Sequence, residues 1–358
     1  MPKYKFIDIA FNSTEKKKPT EEDKYTYIGL EHLDSGTLTV SRWGSVIAPI
    51  GEKLVMKKGD VLFGKRRAYQ KKVGIAPFDG IFSAHGMVLR PREEVITKEY
   101  FPLFISSDYF LNEAIRISVG SLSPTINWKD LKDLEFSIPT IDEQRRLTPL
   151  IWAAIDAKNA YKSLITQTDD LVKSQFIEMF GDPITNTQNR PVVRLDTVVT
   201  LQRGFDLPNT QRHEDGAIPI YGSNGLLGHH DSSMAKDGVV TGRSGTIGQV
   251  YCVHGAYWPL NTALFSIDTH GNNIDYLAYF LRYFDLTRFY NGTGVPTLNR
   301  NDVHKELVYT VPIDEQERFV RIAEQSDKSK FVGANRSNRN LSRCFSRADI
   351  LPWRLERS

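Results

Sequence analysis

The stretch Pro124–Arg146, PTINWKDLKDLEFSIPTIDEQRR, returns as Pro296–Arg318, PTLNRNDVHKELVYTVPIDEQER. Thr125 recurs as Thr297 and Glu143 as Glu315, so the interval is 172 residues at both ends of the block and no slip has accumulated between the copies. Solenoid repeats span roughly 20–50 residues, so a period this long marks a whole domain plus a connecting element. The chain reads as a tandem of two related halves.

Bulk properties agree. A chain of 358 residues suffices for about two domains, each able to bury its own core. Charged residues make up 25% and apolar residues 40%, which is ordinary for a globular protein and argues against general disorder. The net charge of +3 excludes a nonspecific polycation but permits a local anion-binding face. Cys252 and Cys344 lie too far apart to suggest a clustered metal site or a disulfide framework, so no metal is expected and a reducing cytoplasm fits. The amino terminus lacks a signal-peptide core, and no run approaches the roughly 20 apolar residues of a membrane span. A soluble, unexported, cytoplasmic protein is the expectation.

From Tyr25 to Arg90, stretches such as YTYIGL, SVIAPI, GDVLFG and GMVLRP are rich in β-branched and aromatic residues punctuated by Gly, Pro or Asp, a strand-and-turn pattern. Between Glu99 and Ile117 the apolar spacing predicts a helix packed on the sheet. From Leu150 to Phe180 there is no Gly or Pro, and one long helix is predicted. Steps of four and three pick out Leu147, Ile151, Ala154, Lys158, Tyr161, Ile165, Thr168, Val172, Gln175 and Met179. Most are apolar, as a coiled-coil seam requires. Ile151, Tyr161, Ile165 and Val172, with Phe319 and Ile322 of a second helix, are the candidates for helix-to-helix packing or a partner interface. Pro149 predicts either a start there, with Thr148 as the cap, or a kink in a helix begun at Asp142; the cap is preferred. Residues 149 to 180 would make a rod of about 48 Å.

GDPITNTQNRP then stops the helix and reads as a linker. A second strand-and-turn region follows, with IDYLAYFLRYF as its packed helix, and the second IDEQ opens a more polar helix that contains Gly333, Asn335, Asn338 and Asn340. The partition is a first domain over 1–140, a spacer helix over 141–181, a linker over 182–193, a second domain over 194–312, a second spacer helix over 313–347 and a tail over 348–358. The fold class is α+β: two strand-rich α/β domains separated by two long antiparallel, coiled-coil-like helices, as a pseudo-twofold tandem repeat.

FSIPTIDEQRRL leading into a helix that ends LVKSQFIEMFGDP, IPIYGSNGLLGHH followed by VVTGRSGTIG, and YIGLEHLDSGTL in the first half together resemble the specificity (S) subunit of Type I restriction-modification enzymes. The resemblance extends from about Tyr25 to Arg347. It implies two target-recognition domains, each reading one part of a split double-stranded DNA sequence, joined by two helices on which methyltransferase (M) subunits dock. It also implies a restriction/translocase (R) subunit as partner, with S-adenosylmethionine, ATP and Mg2+ brought by partner subunits and no cofactor in this chain.

The residues themselves carry no catalytic signature. There is no Asn- or Asp-Pro-Pro-aromatic motif, and the glycines of GRSGTIG at 242, 245 and 248 have neither dinucleotide-binding nor phosphate-loop spacing; a tight turn is the simpler reading. No His-Glu-x-x-His pattern occurs. Binding chemistry is better represented. GKRRAYQKK sets Lys65, Arg66, Arg67, Lys71 and Lys72 around Tyr69, where cations can pair with phosphates and an Arg fork can reach a guanine edge. A solvated charge run is the bland alternative. In the second half, Arg243 and Ser244, with Ser223, Asn224, His229 and His230, are the corresponding candidates. The acids Asp142, Glu143, Asp314 and Glu315 suit a helix amino terminus as well as a partner contact. Three rivals remain: a chain with its own nuclease or methyltransferase site, a recognition subunit of a related Type II-like modification system, and a coiled-coil scaffold for protein or glycan ligands.

Overall fold

The computed structural model describes residues 1–213, 215–291 and 294–326. Packing separates two units, Met1–Lys158 and one that begins at Asn159. Both mix helix and sheet, so the expected two-domain α+β tandem is what forms.

In the first unit the strand-and-turn segments make two four-stranded sheets. One, in the order Ala10–Ser13, Gly86–Pro91, Val61–Gly64, Val73–Ile75, is antiparallel throughout. The other, Lys16–Lys17, Lys53–Met56, Gly80–Phe82, Tyr27–Ile28, ends in a parallel pairing. The helix predicted between Glu99 and Ile117 is two, Phe101–Ile105 and Asp108–Arg116. Ser107 divides them: its hydroxyl donates to the Phe104 carbonyl at 2.6 Å and accepts from the Phe110 N–H at 3.3 Å, so one side chain ends one helix and caps the next. Phe104 and Phe110 join Phe6, Phe63 and Phe136 in a buried aromatic cluster at the centre of the unit.

The second unit has one six-stranded sheet in the order Thr200–Arg203, Ala263–Asp268, Ala235–Gly242, Val250–Pro259, Ile218–Gly222, Gly225–His230. Only the pairing of Ile218–Gly222 with Val250–Pro259 is parallel. The expected helix covers Ile274–Phe284; the Asn273 side chain accepts from the N–H groups of Asp275 and Tyr276.

The repeated block does the same work in each unit. Its strand, Glu135–Ser137 or Leu307–Tyr309, pairs antiparallel with the strand that opens the unit, Lys3–Lys5 or Val192–Arg194. The glutamine of IDEQ is buried both times. Gln144 donates to the carbonyls of Pro139 (2.8 Å) and Val95 (2.9 Å) and accepts from the Thr97 N–H (2.7 Å). Gln316 donates to the carbonyl of Val311 and the Asn272 side chain (both 2.7 Å) and accepts from the Asn273 N–H (3.0 Å). Each amide thus pins the start of a connecting helix to the loop that leads into its own domain's packed helices.

The first connecting helix runs unbroken over Ile141–Phe180 with Pro149 inside it, so the preferred start at Pro149 is corrected. The cap is Thr140. Its hydroxyl accepts from the Glu143 N–H at 3.4 Å while the Glu143 carboxylate accepts from the Thr140 N–H at 2.8 Å, a capping box. These bonds hold the Glu143 carboxyl below the usual carboxylate range. Pro149 cannot donate to the carbonyl of Arg145, and the Thr148 hydroxyl is used as a donor to the Gln144 carbonyl at 2.7 Å. At the other end Gly181 adopts the left-handed region, φ 83°, and the last carbonyls take side-chain donors: Gln188 to Glu178, Arg190 to Met179, the Tyr309 hydroxyl to Gly181. The segment expected as a linker is a compact helix stop.

The expected seam holds only in part. Ile151 packs with Trp152 and Ile155 against the first unit's own core, and the Trp152 ring N–H donates to the Glu99 carbonyl. Tyr161 and Ile165 are half-buried, and from Asp156 to Leu171 no residue is buried among the described residues. Val172 is buried with Phe319 in the second unit's core, but the next buried positions are Phe176 and Phe180 rather than Gln175 and Met179. Successive steps of four turn the buried stripe by about 40° each around a 3.6-residue helix, so it leaves the line of a heptad seam and winds into the core. Ile322 is half-buried. The boundary between units therefore falls within the helix, each end belonging to one core. The second connecting helix is described over 313–326; its predicted continuation to 347, the tail and Cys344 lie outside the described residues. No described helix is long and apolar enough to cross a membrane.

Candidate nucleic-acid interface

Thr125 and Thr297, the anchors of the sequence repeat, mark the same construction in both units. In the first, the strand Val61–Gly64 runs out into Lys65-Arg66-Arg67; Arg66 bridges to Thr125, the Ile126 N–H donates to the Lys65 carbonyl at 2.9 Å, and the Arg66 N–H donates to His85 at 3.3 Å. In the second, the strand Ala235–Gly242 runs out into Arg243-Ser244-Gly245; Ser244 bridges to Thr297, the Leu298 N–H donates to the Arg243 carbonyl at 2.8 Å, and the Ser244 N–H donates to Thr262 at 3.1 Å. Lys65 and Arg243 are therefore equivalent, as are Arg66 and Ser244. The third position is left-handed both times: Arg67 with φ 54°, Gly245 with φ 91°.

A second loop flanks each of these. In the first unit the Ser83 N–H donates to the Ile28 carbonyl, and in the second the Leu260 N–H donates to the Tyr221 carbonyl, so Gly29-Leu30 corresponds to Gly222-Ser223. Ser223 is buried, and a Cβ placed on Gly242 would lie 3.3 Å from its Cβ. Ser223, Arg243 and Ser244 thus meet, and Asn224 stands exposed beside them in the two-residue turn between Gly222 and Gly225. His229 and His230 do not join them. They sit at the far end of the same hairpin, opposite Pro219 and Ile218, roughly 13 Å along the strand. His229 exchanges backbone bonds with His213, and the His230 ring meets Trp258 edge-on at 4.9 Å.

Within GKRRAYQKK the structure sorts the cations. Lys71 is held by Asp108 at 2.6 Å and Lys72 by the Leu30 carbonyl at 2.6 Å, so both lock the loop to the domain. Arg66 and Arg67 are exposed, and Tyr69 is exposed at 57%. Lys65 is half-buried; burial, and after it the charge of Lys16, hold its ammonium below the ordinary lysine value. Beside this loop opens a pocket of about 380 Å3 lined by Tyr27, Ile47, Ile50, Lys53, Ser83 and His85. In the second unit Arg243 spends one donor on the Asn261 carbonyl at 3.2 Å and remains half-buried. The arrangement can grip an anion and present planar donors, and the described residues hold no nucleophile-and-base pair at either loop.

Sequence spacing alone misses a third constellation. Cys252, His254 and Asp275 bring a sulfur, a ring nitrogen and a carboxylate oxygen within 4.8 Å of one another, as do the ligand atoms of His213, His230 and Asp231. The spacing of the two cysteines gave no hint of these groups, because histidines and aspartates complete them. The readable signal was Cys-x-His on a strand, where alternate residues share a face.

A family model described as Type I restriction modification DNA specificity domain matches residues 7–160 and again 189–337. The EcoDI Type I restriction enzyme specificity subunit of Escherichia coli is 23% identical over 187 residues, which span 51% of this chain and 41% of that protein. The crystal structure of the Type I restriction-modification S subunit from M. genitalium shares the fold, with a TM-score of 0.59 at 14% identity over 96% of this chain and 94% of that one. With a copy of the domain in each half and most of its length matched, this chain belongs to the Type I restriction-modification DNA specificity family.

Proposed function

We propose that the chain is the DNA-recognition subunit of a Type I restriction-modification complex and reads a split double-stranded target, one part with each domain. The single observation that carries this reading is the twice-built loop, in which the same backbone bonds hold out Lys65-Arg66-Arg67 in one domain and Arg243-Ser244-Gly245 in the other. A cation at such a position neutralises a phosphate, and an Arg fork can bond the O6 and N7 of guanine. Tyr69 offers an exposed ring beside the first loop, and Asn224 an exposed amide beside the second. The chemistry belongs to partners in the cytoplasm: methyltransferase subunits bring S-adenosylmethionine, and a restriction subunit brings ATP and Mg2+. The connecting helices, capped and pinned at Gln144 and Gln316, are rigid enough at their starts to serve as the scaffold on which methyltransferase subunits dock.

The test is methylome sequencing of a host that expresses this chain with its methyltransferase, beside one that expresses the methyltransferase alone. The expected result is a split, nonpalindromic methylated-adenine motif in the first host only. A complex that forms and adds no new methylation would overturn the proposal.

A further inference from the structure

Cys252 and His254 lie two residues apart on the strand Val250–Pro259, so their side chains leave the same face. Facing them is Asp275 in the first turn of the helix Ile274–Phe284, held there by the Asn273 cap. The His254 Nε2 stands 3.6 Å from the Cys252 sulfur and 3.1 Å from an Asp275 oxygen. With metal-to-sulfur bonds of about 2.3 Å and metal-to-nitrogen or -oxygen bonds of about 2.0–2.1 Å, a tetrahedral zinc site puts sulfur and nitrogen about 3.5 Å apart and nitrogen and oxygen about 3.3 Å apart. The two observed separations are close to those edges.

We infer that Cys252, His254 and Asp275 bind one zinc-class divalent cation on the second domain. The fourth position is open to water, because Cys252 and Asp275 are half-buried and His254 is exposed. The surrounding charge suits a cation: the Asp275 carboxylate lies beside the sulfur and the ring nitrogen, and Asp237, which accepts from the Gly255 N–H, adds a second carboxylate on the neighbouring strand. A nucleophilic triad needs the two ring nitrogens to divide sulfur and carboxylate between them, whereas one nitrogen, Nε2, faces both here. Arg282 is the opposing charge, and its guanidinium is engaged by the Tyr279 ring at 5.1 Å and the Val250 carbonyl at 3.2 Å. On binding, the thiol proton passes to solvent, the sulfur-metal bond forms and water ligands leave the aquo ion. The bound ion clips the helix to the sheet. The inference does not rest on the DNA reading.

Cobalt(II) provides the probe. Full-length protein without a histidine tag, stripped with chelator, is titrated with Co2+ and followed by absorption. The expected result is a thiolate-to-cobalt charge-transfer band that saturates at one equivalent and is displaced by Zn2+. Cys252→Ser should abolish the band, Cys344→Ser should leave it, and His254→Ala should weaken binding at least tenfold. Absence of the band in the wild-type protein overturns the inference, as does a band that survives Cys252→Ser or vanishes with Cys344→Ser. If Cys252→Ser does not fold, the titration of Cys344→Ser decides alone.

Discussion

The loop after Gly64 and the loop after Gly242 are bonded alike and furnished differently. Each is tied at its first residue to the residue after the PT dipeptide of the repeat, through the Ile126 and Leu298 N–H groups, yet the first carries Lys-Arg-Arg with an exposed tyrosine and the second Arg-Ser-Gly closed by a further glycine turn. The scaffold consists of backbone groups and buried amides, which any side chain on the loop tolerates. The exposed positions have no packing partners to constrain them. Such a division lets two domains keep one architecture while differing in what they touch.

The sharpest way to break the likeness is at the two glycines. A Cβ on Gly242 would sit 1.7 Å from the Thr246 carbonyl oxygen, whereas one on Gly64 meets nothing nearer than the Lys72 Cβ, at 3.1 Å. Gly242→Ala should cost about 3 kcal/mol or more and Gly64→Ala about 1 kcal/mol, read by denaturant unfolding. Next come the buried amides. Gln144→Leu strands the Thr97 N–H and two carbonyls, and Gln316→Leu the Asn273 N–H and its partners; each should cost about 2–3 kcal/mol in its own domain. Equal unfolding curves for wild type and both variants would remove the amides from the account.

Smaller effects test the loops as readers. Arg66→Ala with Arg67→Ala should weaken specific DNA binding by the assembled complex by about 1–3 kcal/mol and flatten its salt dependence, changing the first half of the target only. Arg243→Ala should act on the second half only. Methylation at altered sites would show which half moved; an unchanged motif in both would separate these loops from readout. The smallest effect is pH. In each domain a histidine nitrogen accepts a backbone N–H: His304 from Leu201 and His32 from Gly29, both at 2.9 Å. Burial lowers both below the ordinary 6.5, so the neutral form is the one that fits. Stability from these bonds is complete above 6.5 and is lost as pH falls through the lowered values, because the unfolded chain binds the proton first. His304→Gln should flatten the acid limb of melting for the second domain, and His32→Gln for the first.

Much of the fold was legible because the repeat fixes it twice. The period placed the strand of the block, the buried glutamine and the helix start at equal spacing, and TIDE at Thr140 already spelled a capping box. Pro149 obscured that box, since a proline inside a 40-residue helix is tolerated only where neighbours supply the missing bonds. The heptad count failed near Phe176 because this end of the helix packs into a globular core, whose contacts do not follow the alternating three-and-four steps of a two-helix seam. At the loops, composition could not divide Lys71 and Lys72, which brace the domain through Asp108 and the Leu30 carbonyl, from Arg66 and Arg67. His229 and His230 were grouped with Ser223 by sequence nearness, yet a hairpin separates its turn from its open end. Cys252 and Asp275 meet only across a strand-helix contact that no local pattern announces.

The paired glutamines also give each domain its own clock. The N–H groups of Thr97 and Asn273 are each held by a buried glutamine oxygen, and such an amide exchanges with solvent deuterium only when its surroundings open. The two exchange rates, followed in one sample, would time the opening of each half of the molecule separately, and a ligand held by one half would slow one clock and leave the other running.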